Sequence, residues 1–279
     1  MTVTIIGLGL IGGSFARDLR DGHSISGLIG VETNIEHAEK ALELGLVDKL
    51  MPLEEAVSSA QVIIIATPVN AIDDLLPKVL SMATEEQTII DLGSTKLRLV
   101  EHVKEHPMRH RYVAAHPMAG TEYSGPEASL KGLFKDKTVL LCDLENSAPD
   151  ACKTALELFH IAGLKFEFMD SAQHDRHAAY VSHISHVVAY ALSLAVQNEE
   201  KAGYAVPRLA GGGFASTVRL AMSSPEMWVP IFKQNRENIL EAVCQVSETL
   251  EEFKNALEHG NEKQMTEMIN KANQIKDLL

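Results

Sequence analysis

The sequence predicts an α/β protein, with a doubly wound, mostly parallel sheet over residues 1–169 and an all-helical region over residues 170–279. In the first region, short apolar segments rich in Val and Ile alternate with amphipathic stretches, as in a parallel sheet with helices on both faces. Beyond residue 170 the strand pattern stops and the remaining segments have helical periodicity. A chain of 279 residues can form two domains, each with its own core.

Seven segments of the first region are predicted to form strands, because they are short, apolar and rich in β-branched residues. In chain order they are residues 2–6, 25–31, 60–67, 87–93, 111–117, 138–144 and 164–170. No Gly/Ser-rich linker separates the two regions. We therefore expect a short, ordered join near Asp170.

A glycine-rich turn follows the first predicted strand and precedes an amphipathic helix. Gly7, Gly9 and Gly12 have the spacing G-x-G-x-x-G, in which the glycines permit a tight turn, approach of a pyrophosphate to the backbone and close helix packing. The helix N-terminus would then hold the phosphates. The residues predicted to contact a dinucleotide here are Gly7, Leu8, Gly9, Leu10, Ile11 and Gly12.

The second and third predicted strands add to this dinucleotide site. Glu32 lies at the end of the second strand, twenty residues beyond Gly12, where a carboxylate binds the adenosine ribose hydroxyls. An acid at this position favours NAD over NADP, whose 2′-phosphate it would repel. Thr67 and Pro68 end the third strand at the ligand-binding edge of the sheet.

A histidine and a serine end two later strands. His116 lies in the segment YVAAHPMAG, and Ser94 lies in TIIDLGSTK. An imidazole has a pKa suited to accept a proton from a substrate alcohol at neutral pH. The adjacent strand ends would allow a Ser94–His116 hydrogen bond, although Ser94 as a helix N-cap and His116 as a core residue are alternatives.

The most regular helix is predicted at residues 235–258, where apolar residues repeat about every 3.5 residues. They are Ile239, Val243, Val246, Leu250, Phe253 and Leu257. Such a seam requires a helix opposite it, either in the same chain or in a second subunit.

Charge and cysteine content exclude several classes of function. A formal net charge of −13 is unfavourable for binding nucleic acid or anionic membranes. Three cysteines without a C-x-x-C pair indicate neither a disulfide framework nor a zinc–thiolate site. With no basic leader and no apolar run approaching membrane-spanning length, a cytoplasmic location is expected.

Four histidines form two H-x-x-H pairs in one predicted helical region. They are His174, His177, His183 and His186. No metal is expected there, because zinc-binding helices use i, i+4 spacing. The first pair is expected on a polar helix face, and the second is expected to point into a cleft or core.

Five segments together resemble the prephenate and arogenate dehydrogenases of tyrosine biosynthesis. In order they are GLGLIGGS, DLGSTK, HPMAGTEYSG, SHISHVVAYAL and GGGFASTVRLAMSSPEMW. The resemblance implies a Rossmann domain that binds NAD and an all-helical domain that forms a homodimer and contributes to the substrate site. It leaves no room for an added chorismate mutase or ACT domain.

The resemblance also implies roles for individual residues. His116 would accept the hydrogen bond of the ring hydroxyl, Ser94 would assist it, and Arg219 would bind the ring carboxylate. The substrate-binding set that the resemblance implies is Arg219, His183, Glu122 and Gly213. Glu122 matches an acid that closes the pocket in some relatives, but this chain has Ala215 and Ser216 where those relatives have a Lys-Asp pair.

Two other functions remain open from the residues alone. A β-hydroxyacid dehydrogenase shares the architecture but requires a catalytic lysine in a glycine-rich helix motif, and no such motif is found here. A non-catalytic NAD-responsive protein would not need a base and a carboxylate clamp together. Prephenate is favoured over arogenate as the substrate without a decisive residue.

Overall fold

The computed structural model describes residues 1–20, 22–201 and 211–277. Its first region is built on an eight-stranded sheet with the order β3-β2-β1-β4-β5-β6-β7-β8. The strands are β1 Thr2–Ile6, β2 Gly27–Val31, β3 Lys49–Leu50, β4 Val62–Ile65, β5 Thr88–Asp91, β6 Tyr112–Pro117, β7 Thr138–Cys142 and β8 Lys165–Met169. The order reverses at β1, so the predicted doubly wound sheet is confirmed.

The sheet is parallel except between β6 and β7, which pair antiparallel. Strands β7 and β8 therefore run opposite to the other six. Their carboxyl ends lie on the side of the sheet where the other strands begin. The short β3 was not predicted from the sequence, because two residues are too few to form an alternating pattern. The carboxyl ends of β1, β2, β4, β5 and β6 share one edge, which fixes the position of the site.

Helices cover both faces of this sheet and make up the second region. Those of the first region are α1 Leu10–Leu19, α2 Ile35–Glu43, α3 Leu53–Ser58, α4 Val69–Met82, α5 Leu97–Val103 and α6 Pro149–Ile161. Those of the second are α7 Ser171–Ala178, α8 Ile184–Lys201, α9 Gly212–Val218, α10 Pro225–Gln234, α11 Arg236–Glu258 and α12 Glu262–Asn273. A π-helical turn, Ala179–His183, joins α7 to α8.

Two apolar cores lie on opposite faces of the sheet. On one face, Phe15 of α1 packs edge-on against Phe134 and against Phe159 of α6. On the other face, side chains of α3, α4 and α5 pack on the alternate residues of β4 and β5, such as Ile63 and Ile89. Strands β1, β2 and β4 to β7 are buried on both sides, which explains why their sequences are largely apolar without alternation.

The helical region packs directly on the sheet domain. Val69, at the start of α4, is buried with Trp228 and Ile231 of α10. Gln234 of α10 donates a hydrogen bond to the backbone oxygen of Val69 at 3.0 Å and accepts one from Thr95 at 2.6 Å. The carboxyl edge of the sheet therefore faces the helical region.

The continuous helical run Ser171–Glu199 is the one helix among the described residues that is long and apolar enough to cross a membrane. It has 29 residues, and its most apolar window has a mean hydropathy of 1.4, so the expectation that no run approaches this length is wrong. Length and composition alone are weak evidence of a membrane span, because core helices meet the same test. Only 28% of that window is buried within the chain, so this helix has an open apolar face.

Candidate active site

The glycine-rich turn has the geometry that dinucleotide binding requires. Gly7 has a φ of +91°, and a Cβ there would lie 2.8 Å from Thr67 Cγ2. A Cβ on Gly12 would lie 2.0 Å from the backbone oxygen of Gly7, so α1 can pack on the turn only with glycine. A Cβ on Gly9 would meet nothing within 4 Å, so open space lies beside the backbone where a pyrophosphate would bind.

The N-terminus of α1 opens onto this space. Gly9 is its N-cap and provides no side-chain cap. Leu10 and Ile11 are the first helical residues, and their N–H groups are among those that a helix start leaves without intrahelical partners. The side chain of Leu8 is buried in the core. The turn therefore offers backbone donors and a helix dipole to an anionic ligand.

Glu32 is held at the end of β2 beside the turn. Its carboxylate accepts hydrogen bonds from the N–H groups of Leu8 at 3.0 Å, Thr33 at 2.9 Å and Asn34 at 3.0 Å. A carboxylate fixed here can bind ribose hydroxyls and repels a 2′-phosphate. These contacts fit NAD.

Thr67 and Pro68 connect β4 to α4 beneath the glycine-rich turn. The Thr67 hydroxyl is buried, and no partner for it is found in the described part of the chain. Pro68 is the N-cap of α4. Both residues lie where the sequence predicts, at the carboxyl edge of β4.

His116 is buried near the end of β6 and is hydrogen-bonded to a residue of the helical region. Its Nδ1 lies 2.8 Å from Nε2 of His174, and Nδ1 of His174 lies 2.8 Å from Oδ1 of Asp175. Residues 1–20, 22–201 and 211–277 provide no hydrogen bond to Nε2 of His116. His174 is fully buried, so the prediction that it lies on a polar helix face is wrong, whereas His177 is exposed as expected.

The surroundings of His116 favour its neutral form. Burial is the main cause that lowers its pKa well below the usual value, and His174, Lys96 and His183 add to this effect. Burial also lowers the pKa of His174, although the hydrogen bond to Asp175 acts in the opposite direction. Both imidazoles are therefore uncharged at neutral pH.

The loop after β5 is fastened to the helical region by Asp175. The carboxylate of Asp175 accepts hydrogen bonds from Lys96 N at 2.7 Å and Leu97 N at 3.1 Å, at the start of α5. The N-cap of α5 is Lys96, so the alternative that Ser94 caps this helix is wrong. Within the described residues Ser94 makes no hydrogen bond to His116, whose Nδ1 is instead hydrogen-bonded to His174.

A fully buried ion pair lies below this loop. Lys96 Nζ pairs with Asp91 Oδ2, and both side chains are inaccessible to solvent. Asp91 also accepts hydrogen bonds from Gly93 N at 2.8 Å and from the Tyr112 hydroxyl at 2.7 Å. With its remaining lone pairs occupied, the buried carboxylate is stabilised, and the positive charge of Lys96 is held near His116.

His183 and His186 point inward from the π-helical turn and α8, as the sequence predicts for this pair. Asn235 donates a hydrogen bond to Nδ1 of His183 at 3.1 Å, and no described residue accepts one from the buried Nε2 of His183. Burial lowers the pKa of His183 to about 4. The ring of His186 stacks on Trp228 with centroids 3.4 Å apart.

Arg219 lies just beyond α9 and forms an ion pair with Glu122. Its Nη1 donates to Glu122 Oε2 at 2.7 Å, and the side chain of Arg219 is half-exposed. The Glu122 backbone N–H and Arg219 both lower the pKa of Glu122, so it is ionised at neutral pH. Burial lowers the pKa of His186, and the positive charge of Arg219 adds to this effect.

Gly213 lies in the first turn of α9, before Arg219 in the chain. A Cβ on Gly213 would meet nothing within 4 Å. Ala215 and Ser216, which follow it, carry no charge. They cannot form an ion pair with Glu122, which in this structure pairs with Arg219.

Sequence reasoning missed three contributors to this site, namely His174, Asp175 and Lys96. A helical periodicity does not show that two adjacent polar residues, His174 and Asp175, are buried against another domain. One signal was available for Lys96: it is a lysine in the short loop after a core strand, five residues beyond Asp91.

Comparison with known proteins connects both regions with one family. The sequence model described as prephenate dehydrogenase, nucleotide-binding domain, matches residues 15–168. The model described as prephenate dehydrogenase, dimerization domain, matches residues 170–271.

Individual relatives agree with this result. The chain is 33% identical over 243 residues to prephenate dehydrogenase of Bacillus subtilis, covering 86% of this chain and 66% of that protein. A crystal structure of prephenate dehydrogenase from A. aeolicus in complex with hydroxyphenyl propionate and NAD+ has a TM-score of 0.90 at 30% identity, covering 100% and 97% of the two chains. Arogenate dehydrogenase of Synechocystis has a TM-score of 0.79 at 25% identity, with 99% of each chain covered.

Proposed function

This chain belongs to the prephenate dehydrogenase family, and from that premise we propose that it converts prephenate and NAD to 4-hydroxyphenylpyruvate, CO2 and NADH. NAD is the cofactor, in agreement with the open glycine-rich turn and the fixed carboxylate of Glu32. The observation that carries the proposal is His116, a buried neutral imidazole at the carboxyl edge of the sheet.

The reaction requires a hydroxyl acceptor, a carboxylate clamp and accurate orientation. When bound, NAD accepts the hydride from the carbinol carbon of the ring. His116 Nε2 accepts the proton of the ring hydroxyl, and the electrons of the ring–carboxylate bond enter the ring as CO2 leaves. The proton returns from His116 to the phenolate oxygen, so no net proton is released.

Arg219 is proposed as the clamp, because a planar guanidinium can pair with a carboxylate through two hydrogen bonds. His183 offers a buried N–H donor at Nε2, and Gly213 is proposed to line the same pocket. Ser94 is proposed to orient the substrate hydroxyl, since it lies in the loop that Asp175 fastens to the helical region.

Arogenate is the second candidate substrate, because the Synechocystis arogenate dehydrogenase shares this fold over nearly the whole chain. Arogenate differs from prephenate in the side chain, which carries an amino group in place of the keto group. The ring chemistry and the proposed roles of His116 and Arg219 are the same for both substrates.

We also propose the boundaries 1–169 and 170–279 for an NAD-binding domain and a helical substrate and dimerisation domain. The second of the two matched models describes a dimerization domain. A cytoplasmic homodimer is the arrangement that we propose for the working enzyme.

A steady-state assay tests the proposed function directly. The purified protein is given prephenate or arogenate, each with NAD or NADP, and NADH or NADPH is followed at 340 nm. We expect turnover with prephenate and NAD. Activity with arogenate but not with prephenate would show that arogenate is the substrate. No activity in any of the four mixtures would disprove the proposed function.

The variant His116→Asn tests the role of the imidazole. General-base catalysis contributes roughly 10²- to 10⁴-fold, so kcat should fall by that order. NAD affinity, measured by calorimetry, should stay unchanged, because His116 is not part of the glycine-rich turn. The exposed His177→Asn is the control, and unchanged turnover of His116→Asn would refute the role.

A further inference from the structure

A chain of hydrogen bonds determines the protonation of the histidine rings. The carboxylate of Asp175 can only accept, so Nδ1 of His174, at 2.8 Å, must carry a proton. His174 is fully buried and uncharged, so its Nε2 is unprotonated and accepts. Nδ1 of His116, which lies 2.8 Å from this atom, must then be the donor.

This order of donors and acceptors leaves Nε2 as the ring nitrogen of His116 that carries no proton. A neutral imidazole carries one proton, and in His116 that proton is on Nδ1. Nε2 therefore has a lone pair, and no residue of the described ranges is hydrogen-bonded to it. A neutral histidine side chain in water prefers the opposite tautomer, with the proton on Nε2.

Asp175, at the end of this hydrogen-bond chain, is held by residues of both domains. The carboxylate of Asp175 caps α5 through Lys96 N and Leu97 N. The backbone oxygen of Asp175 accepts a hydrogen bond from Asn235 of the helical region at 2.6 Å. Since Asp175 is held in this way, His174 has little freedom to turn.

We propose that His174 and Asp175 are positioning residues, which hold His116 as the Nδ1–H tautomer and present its Nε2 lone pair to the substrate hydroxyl. The role in turnover rests on the proposed function, but the tautomer itself does not. The catalytic residue is His116, and the other two act through it.

The hydrogen-bond chain from His116 to Asp175 also affects the charged form of His116 during turnover. When Nε2 takes the hydroxyl proton, His116 becomes a cation that donates through Nδ1 to His174. The carboxylate of Asp175 lies one imidazole away and stabilises that cation. The buried Lys96, whose charge acts on His116, opposes it, which favours return of the proton to the phenolate oxygen.

The tautomer can be measured without any substrate. Two-bond ¹H–¹⁵N correlation spectra of protein labelled with ¹⁵N-histidine distinguish Nδ1–H from Nε2–H rings, and the signals are assigned by their loss in His116→Gln and His174→Gln. At pH 7.5 we expect the Nδ1–H form for both His116 and His174. An Nε2–H form of His116 in the unmodified protein would overturn the proposal.

Variants of His174 test the effect on catalysis. His174→Phe fills the space without an acceptor, and we expect His116 to revert to Nε2–H and kcat to fall roughly 10- to 100-fold, as for other residues that orient a functional histidine. KM should change little. His174→Gln places an amide oxygen near the former Nε2, so it should retain the Nδ1–H form and part of kcat, while His177→Gln should match the unmodified protein.

The outcomes separate this proposal from the proposed function. Absence of turnover in the unmodified protein, with both rings as Nδ1–H, would refute the function and leave the positioning chain established. Turnover with an unchanged tautomer and kcat in His174→Phe would refute the positioning chain alone. If His174→Phe does not fold, the unmodified protein and His174→Gln still decide the question.

Discussion

At the scale of single residues, the ion pair between Arg219 and Glu122 has a direct effect on substrate binding. Glu122 already contacts the guanidinium of Arg219 at 2.7 Å. Under the proposed function, the ring carboxylate must therefore compete with Glu122 for this guanidinium. The side chain of Arg219 is 50% exposed, so solvent weakens this pair but does not prevent it. Glu122 therefore restrains the clamp when substrate is absent.

The variant Glu122→Gln should lower the KM for prephenate about two- to fivefold with kcat unchanged, because an exposed ion pair is worth little and only the competing charge is removed. Steady-state kinetics at low ionic strength measures this change. Glu127→Gln, an exposed acid nearby in the chain, is the control for net charge. A higher KM would show that Glu122 itself contributes to substrate binding.

Sequence reasoning located most accurately the residues whose position depends on their own backbone segment. The glycines of the turn and Glu32 lie where the motif predicts, because each position follows from local geometry. His174 was misplaced, since its burial depends on a contact 58 residues distant in the chain, with His116. The partner of Glu122 was likewise invisible, because it lies 97 residues away.

At the scale of elements, strands were the most predictable part of the fold. Seven of the eight were anticipated because apolar β-branched runs have few other uses in a chain of this composition. The antiparallel direction of β7 could not be read from TVLLC, since a strand has the same pattern in either direction. The carboxylate that accepts hydrogen bonds from the start of α5 was not predicted either, because Asp175 provides it from another helix.

The turn between β1 and α1 allows two glycines to be compared. Gly9→Ala should leave stability unchanged, since its Cβ meets nothing within 4 Å, but should weaken NAD binding at least about tenfold by blocking the pyrophosphate. Gly12→Ala places a Cβ 2.0 Å from a backbone oxygen and should cost roughly 1–3 kcal/mol of unfolding free energy.

Urea unfolding and calorimetric titration with NAD separate the two effects. Each variant serves as the control for the other, because both add one methyl group to the same turn. Normal NAD affinity in Gly9→Ala would show that the phosphates bind elsewhere. Unchanged stability of Gly12→Ala would show that α1 can move away from the turn.

At the scale of the whole molecule, the helical region of a single chain leaves large apolar side chains exposed to solvent. Ile239 at the start of the α11 seam is buried, whereas Leu250 and Leu257 are 62% and 67% exposed. On the neighbouring α8, Leu194 is 60% exposed. Of the two partners that the seam left open, a second subunit fits these exposed residues better, since large apolar side chains concentrated on adjacent helices mark interaction surfaces.

We therefore expect the protein to have a mass of about 61 kDa in solution, twice the 30.5 kDa of one chain. Each buried leucine contributes roughly 1.5–3 kcal/mol, so the double variant Leu250→Glu, Leu257→Glu should raise the dimer dissociation constant at least about 100-fold. Light scattering coupled to size-exclusion chromatography measures the mass. Asn255→Glu, which adds a single negative charge to the opposite face of α11, should remain dimeric. A double variant that also remained dimeric would place the interface away from this seam.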